Sequence, residues 1–105
     1  MDLHVYPAKS EQVRWIERKE GAIILNQKTG MYHKLNDTAT FIWQISNGTK
    51  TIEEISRIMA KENTIEEDRA KKDVCHIINY LKSVGLIKLF KDSKTFYPGK
   101  MSFQR

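Results

Sequence analysis

A change of hydrophobic period at Asn36 constrains this chain more than any other feature. Before it, apolar residues come in short alternations and runs: Val13-Arg14-Trp15-Ile16-Glu17-Arg18, Ala22-Ile23-Ile24-Leu25 and Met31-Tyr32-His33-Lys34-Leu35. Segments of this length, rich in β-branched and aromatic residues, read as strands. After Asn36 the apolar residues recur three and four apart, the spacing that lays one stripe along a helix. A chain that places its strands first and its helices afterwards is expected to be α+β.

The punctuation agrees. Glu20-Gly21 breaks the first two strands apart, and Gln27-Lys28-Thr29-Gly30 supplies a hairpin loop whose glycine can take positive φ, so the second and third strands are expected as antiparallel neighbours. The continuous apolar middle strand is expected at the centre, leaving the first and third as edges with unpaired backbone groups. Asn36 is suited to cap a helix running through Thr40, Phe41, Ile42, Trp43 and Ile45, with Asn47-Gly48 as its stop. Thr51 and Glu54 have capping-box spacing before a helix bearing Ile52, Ile55, Ile58 and Met59. A third helix is expected from Thr64–Glu67, where carboxylates favour the positive end of the helix dipole, through Ala70, Val74, Ile77, Ile78, Leu81 and Val84 to Gly85. Leu86–Phe90 has the composition of a short strand. The layout is winged helix-turn-helix-like, a three-stranded antiparallel sheet followed by three helices. Residues 1–90 are expected as the domain and 91–105 as a basic tail, either mobile or docked by Phe96, Tyr97 and Phe103.

With 105 residues the chain has room for one small globular domain. No apolar run is long enough to span a membrane, and the N-terminal residues form no signal-peptide core, so a cytoplasmic protein is expected. The single cysteine, Cys75, has no partner for a disulfide and fits a reducing compartment. The net charge of +5 is concentrated at the end of the chain, where Lys88, Lys91, Lys94, Lys100 and Arg105 face Asp92 alone.

Catalytic signatures are missing from the sequence. His4, His33 and His76 are scattered over a terminus, a strand and a helix without metal-ligand spacing. Cys75 and His76 are consecutive helix positions, which point about 100° apart and do not face each other. Neither dinucleotide nor nucleoside-triphosphate glycine motifs occur. The layout also suggests a DNA-binding regulator, but the third helix balances Glu66, Glu67, Asp68 and Asp73 against Arg69, Lys71, Lys72 and Lys82. Its acidic end would enter the groove and repel phosphate, so such a regulator would have to use the basic tail. An open edge at Met31–Leu35 beside an amphipathic helix instead offers a slot for an extended peptide to add as a strand. In the plainer alternative, Met31, His33 and Leu35 merely face the core and Tyr32 and Lys34 the solvent.

The ordered run Gly21–Leu25, Thr29-Gly30-Met31-Tyr32, Leu35-Asn36, Ile42-Trp43, Gly48, Thr51–Ile55 and Leu81–Ile87 resembles the PqqD-like family. These are standalone peptide chaperones, or RiPP recognition elements, that bind the leader of a ribosomally made precursor peptide and present it to modifying enzymes. The resemblance implies no catalysis and no cofactor. It implies strand addition along Met31, Tyr32, His33 and Lys34, with Lys71, Val74, Ile77 and Ile78 of the third helix as candidates for the groove wall. Leu35, Ile42 and Trp43 are expected in the core. Within the family the hairpin, Leu-Asn and Ile-Trp signatures look most like the proteins of lasso-peptide assembly, which implies a leader peptidase and a macrolactam synthetase as partners. The runner-up is the pyrroloquinoline quinone pathway, with a radical SAM enzyme.

Overall fold

The computed structural model describes residues 1–93, so the expectations for Phe96, Tyr97, Phe103 and most of the basic tail lie outside the described residues. In chain order the elements are β1 (Tyr6–Lys9), β2 (Val13–Arg18), β3 (Gly21–Asn26), β4 (Met31–Leu35), α1 (Asp37–Ile45), α2 (Ile52–Asn63), α3 (Glu67–Ser83) and β5 (Ile87–Phe90). The three expected strands are β2, β3 and β4, which form an antiparallel sheet in that order with β3 central. The three helices follow the sheet, so the α+β layout read from the change of period is the observed one.

Pairing fixes which side chains share a face, because directly opposed residues project to the same side. Trp15, Ile24 and His33 lie opposite one another across the sheet, as do Ile16, Ile23 and Lys34, and Arg14, Leu25 and Tyr32. Ile24 is fully buried in one cluster with Ile42, Trp43, Ile52, Ile55, Val74, Ile78 and Leu81, so the Trp15–Ile24–His33 face is the one that meets the helices. On the opposite face Ile16 is 63% exposed and Tyr32 69% exposed. The apolar run of β3 therefore marks a central strand with one covered face and one open face.

Local chemistry explains the helix ends. The Asn36 side chain accepts the Ala39 N–H at 2.9 Å and starts α1. At α2 the reciprocal box is complete, Glu54 N–H donating to Thr51 Oγ1 at 3.1 Å and Thr51 N–H to Glu54 Oε1 at 2.8 Å. Thr64 ends α2 in the left-handed region, at φ 53°. Glu66 makes no side-chain cap at α3, where Glu67 and Asp68 occupy the first turn instead.

One pairing was not legible in the sequence. β1 pairs antiparallel with β5, placing Pro7 opposite Leu89 and Ala8 opposite Lys88. Tyr6-Pro7-Ala8-Lys9 shows no alternation and contains a proline, which is tolerated only where a ladder donor is dispensable. The preceding residues are used as well: Val5 O accepts from Ile52 N–H at 3.1 Å and Leu3 O from Glu53 N–H at 3.0 Å. These carbonyls satisfy donors that the first turn of any helix leaves without intrahelical partners.

Lys9, at the end of β1, joins the two sheets to α1. Its Nζ donates to Ser46 O at 3.2 Å and Gln44 O at 3.4 Å, and lies 5.0 Å and 5.6 Å from the ring centroids of Trp43 and Trp15. The two indoles meet edge to face at 5.4 Å. Burial lowers the Lys9 pKa from 10.5 to about 8, with Glu17 opposing the shift. The folded pKa lies below the unfolded one, so between these values the unfolded chain binds more protons and stability rises with pH. The cost, on the order of 3 kcal/mol, is fully present below about pH 8. Urea unfolding from pH 7.5 to 10.5 is expected to show this rise in the wild type and to lose it in Lys9→Met. Trp43→Ala is expected to lower stability by about 3–5 kcal/mol, because Trp43 is fully buried.

Candidate functional site

β4 has β3 on one side and, among the described residues, no strand on the other. Its outward backbone N–H and C=O groups are thus available to an added strand. Side chains alternate about this edge: Met31 and His33 share the face of Ile24, while Tyr32 and Lys34 share that of Ile23 and Leu25. Strand addition requires only the backbone of Met31–Lys34, so this alternation and a peptide at the edge are compatible.

The helix beside this edge is α3, and the contact between them is specific. His33 Nδ1 lies 3.0 Å from the Tyr80 hydroxyl, with the two rings edge to face at 6.1 Å. Tyr80 is 44% exposed and Met31 59% exposed, so the edge and the helix flank both present large side chains to solvent. At 100° per residue, Ile77 and Asp73 fall on the Tyr80 side of the buried stripe Ala70, Val74, Ile78 and Leu81.

This geometry revises the expected groove wall. Val74 and Ile78 are fully buried and act as core beneath the site, without surface for a peptide. Lys71 is nine positions before Tyr80 and therefore about 180° around the helix, on the flank away from β4. Ile77 is half-buried against the core on the correct flank. Tyr80 was missed because it lies off the apolar stripe; a large aromatic at a polar helix position was the available signal. Of the eight residues expected from the resemblance, Met31, Tyr32, His33, Lys34 and Ile77 are brought to the edge or its neighbouring flank.

The hairpin that presents β4 is pinned by a buried amide. Asn26 Oδ1 accepts from Lys28 N–H at 3.0 Å and Thr29 N–H at 3.3 Å, and its Nδ2 donates to Val84 O at 3.0 Å, just beyond α3. One side chain thus holds the turn before β4 against the end of the helix that faces it. Cys75 is a half-buried free thiol, and among the described residues no group of three His, Cys, Asp or Glu side chains converges as a metal site.

An α+β domain that leaves a sheet edge open beside an amphipathic helix has the geometry that strand addition requires. This chain belongs to the family of coenzyme PQQ synthesis protein D (PqqD), whose family model matches residues 21–87. Among solved structures it is similar to lasso peptide synthetase B1 complexed with the leader peptide, with a TM-score of 0.71 and 22% identity over 79% of this chain and 98% of the other. TbiB1 in complex with the TbiA(beta) leader peptide gives 0.71 and 21% over 77% and 94%. The PqqD truncation of Methylobacterium extorquens PqqCD, a RiPP recognition element, gives 0.66 and 16% over 80% and 88%. A search among curated proteins gave no match.

The His33–Tyr80 bond is exposed, so its removal is expected to cost little stability, at most about 1 kcal/mol. Tyr80→Phe is expected to keep its unfolding midpoint close to wild type while the His33 ring resonances move. A large loss of stability would show that the bond supports the fold itself.

Proposed function

We propose that this chain binds the leader region of a ribosomally synthesised precursor peptide as an added strand on β4 and delivers it to modifying enzymes, without catalysing a reaction. The open edge of β4 beside the Tyr80 flank of α3 carries this reading. Two of the similar solved structures hold a leader peptide, which supports the same use of the fold here. Main-chain hydrogen bonds to β4 supply affinity, and the guest's alternate side chains pack against Met31, His33, Ile77 and Tyr80.

The pathway we propose is lasso-peptide assembly, with a leader peptidase and a macrolactam synthetase as partners. The likeness to lasso peptide synthetase B1, at a TM-score of 0.71 over 98% of that chain against 0.66 over 88% for the PqqD truncation, supports this over the pyrroloquinoline quinone pathway. The open face of the sheet suits docking of such an enzyme: Ile16, Ile23, Leu25 and Tyr32 form its apolar centre, and Arg14, Arg18 and Lys34 surround them. A second copy would bring like charges together, so the fitting surface is apolar with a carboxylate rim. We place this work in the cytoplasm, where Cys75 stays reduced; no helix among the described residues is long and apolar enough to cross a membrane.

Titration of the labelled protein with leader-like peptides at about 0.15 M salt tests the reading. Saturable amide shifts along Met31–Leu35 and at Ile77 and Tyr80 are expected, with none from duplex DNA. Salt-sensitive shifts with DNA alone would overturn it. Neighbouring strand residues direct their N–H groups to opposite sides. One of Tyr32→Pro and His33→Pro therefore removes an outward donor, and that variant is expected to stay folded while losing peptide affinity.

A further inference from the structure

Near the β2–β3 turn the open face of the sheet carries a notch that reaches from β2 to β4. It is a cavity of about 150 Å³ lined by Arg18, Glu20, Gly21, Ala22, Ile23, Lys34 and Leu35. Gly21 has φ +131°, and a Cβ built there would lie 1.9 Å from Leu35 O, so no side chain fits. Gly21 stands opposite Arg18, and Ile23 opposite Lys34, on the central strand. Arg18 on β2 and Lys34 on β4 line this notch from strands about 10 Å apart.

The electrostatics are unbalanced in one direction. Neither Arg18 nor Lys34 makes an ion pair or side-chain hydrogen bond among the described residues, and neither does Glu20. Two cations and one carboxylate leave the lining net positive, and Ile23 supplies an apolar wall on the same face. The volume is several times the roughly 30 Å³ share of one water, which suits a carboxylate with part of its hydration. Arg is the side chain best shaped to grip such a group through paired N–H donors.

We infer that this notch is a carboxylate-binding site that takes an Asp or Glu side chain of the protein docked on the open face of the sheet. The inference rests on the proposed docking of a partner enzyme there and adds the chemistry by which the partner is oriented. The notch opens on the face of Ile23 and Lys34, and Arg18 lies on β2, two strands in from the edge that a leader would join, so the carboxylate is assigned to the partner and not to the leader. Glu20 limits the attraction, so neutralising it strengthens binding.

The full chain is titrated with sodium acetate and, separately, inorganic phosphate, at ionic strength held constant with sodium chloride, following backbone amides and the Arg18 side chain. Acetate is expected to give saturable shifts confined to Arg18, Gly21 and Ile23. Arg18→Gln is expected to abolish them and Glu20→Gln to tighten binding severalfold, both variants keeping the wild-type spectrum elsewhere. Shifts spread over all surface lysines, or no saturation, would overturn the site. Tighter binding of phosphate than of acetate would overturn the carboxylate assignment in favour of a small phosphate ligand. Leader affinity is measured on the same samples and is expected to be unchanged by Arg18→Gln; a loss would assign the carboxylate to the leader and overturn the source proposed here. Failure of the wild type to bind any leader peptide would remove the proposed function, while the acetate result still decides the notch. Against a purified leader peptidase and macrolactam synthetase of the proposed pathway, Arg18→Glu is expected to weaken binding at least tenfold, and unchanged binding to both would overturn the docking.

Discussion

The register of β3 between its two neighbours governs everything this domain presents to other molecules. Ile24 is held between Trp15 and His33 and buried among the helices, and that burial sets which residues turn inward. A slip of one residue would send Ile23 and Leu25 into the core and turn Ile24 outward. The same alternation sends Met31 and His33 toward α3 and Tyr32 and Lys34 onto the open face. One buried isoleucine thus separates two surfaces on a single edge strand, and each surface has its own chemistry.

The scaffold behind that strand depends on contacts distant in sequence. β1 reaches across to β5, and the carbonyls of Leu3 and Val5 complete the start of α2. Lys9 meets the indoles of Trp15 and Trp43, tying the small sheet, the large sheet and α1 together. Holding a desolvated ammonium there costs stability, and aromatic faces and two carbonyls offset part of that cost. Asn26 performs the corresponding task at the other end, joining the hairpin to the residue that follows α3. Both walls of the candidate site are therefore anchored from behind, leaving the edge between them uncovered.

Local features are legible in the sequence because their causes are local. The Asn36 cap, the Thr51–Glu54 box and the glycine-bearing turn before Met31 each act over three or four residues, a range in which sequence spacing and physical contact coincide. Trp43 and Ile42 were expected in the core from helical spacing and are fully buried. The helix wall of the candidate site is less legible in the sequence. Spacing identified an apolar stripe on α3, but a stripe mainly reports what faces the core. Val74 and Ile78 belong to that stripe and are hidden, Lys71 turns away, and Tyr80, outside the stripe, meets His33.

By itself, then, the sequence determined the order of strands and helices, the caps, the central position of β3 and the open edge of β4, since period and turn chemistry are written residue by residue. The resemblance carried in the same residues pointed to the PqqD family, to which the chain belongs. Only the tertiary structure decided that a proline-bearing N-terminal segment forms β1, that β3 is covered on one face, and that Tyr80 is the helix residue beside His33. It also decided that Arg18 and Lys34 line one notch and that Gly21 lies close against the Leu35 carbonyl. These depend on how elements rotate and stack against one another, which packing selects over the whole chain and no local window encodes.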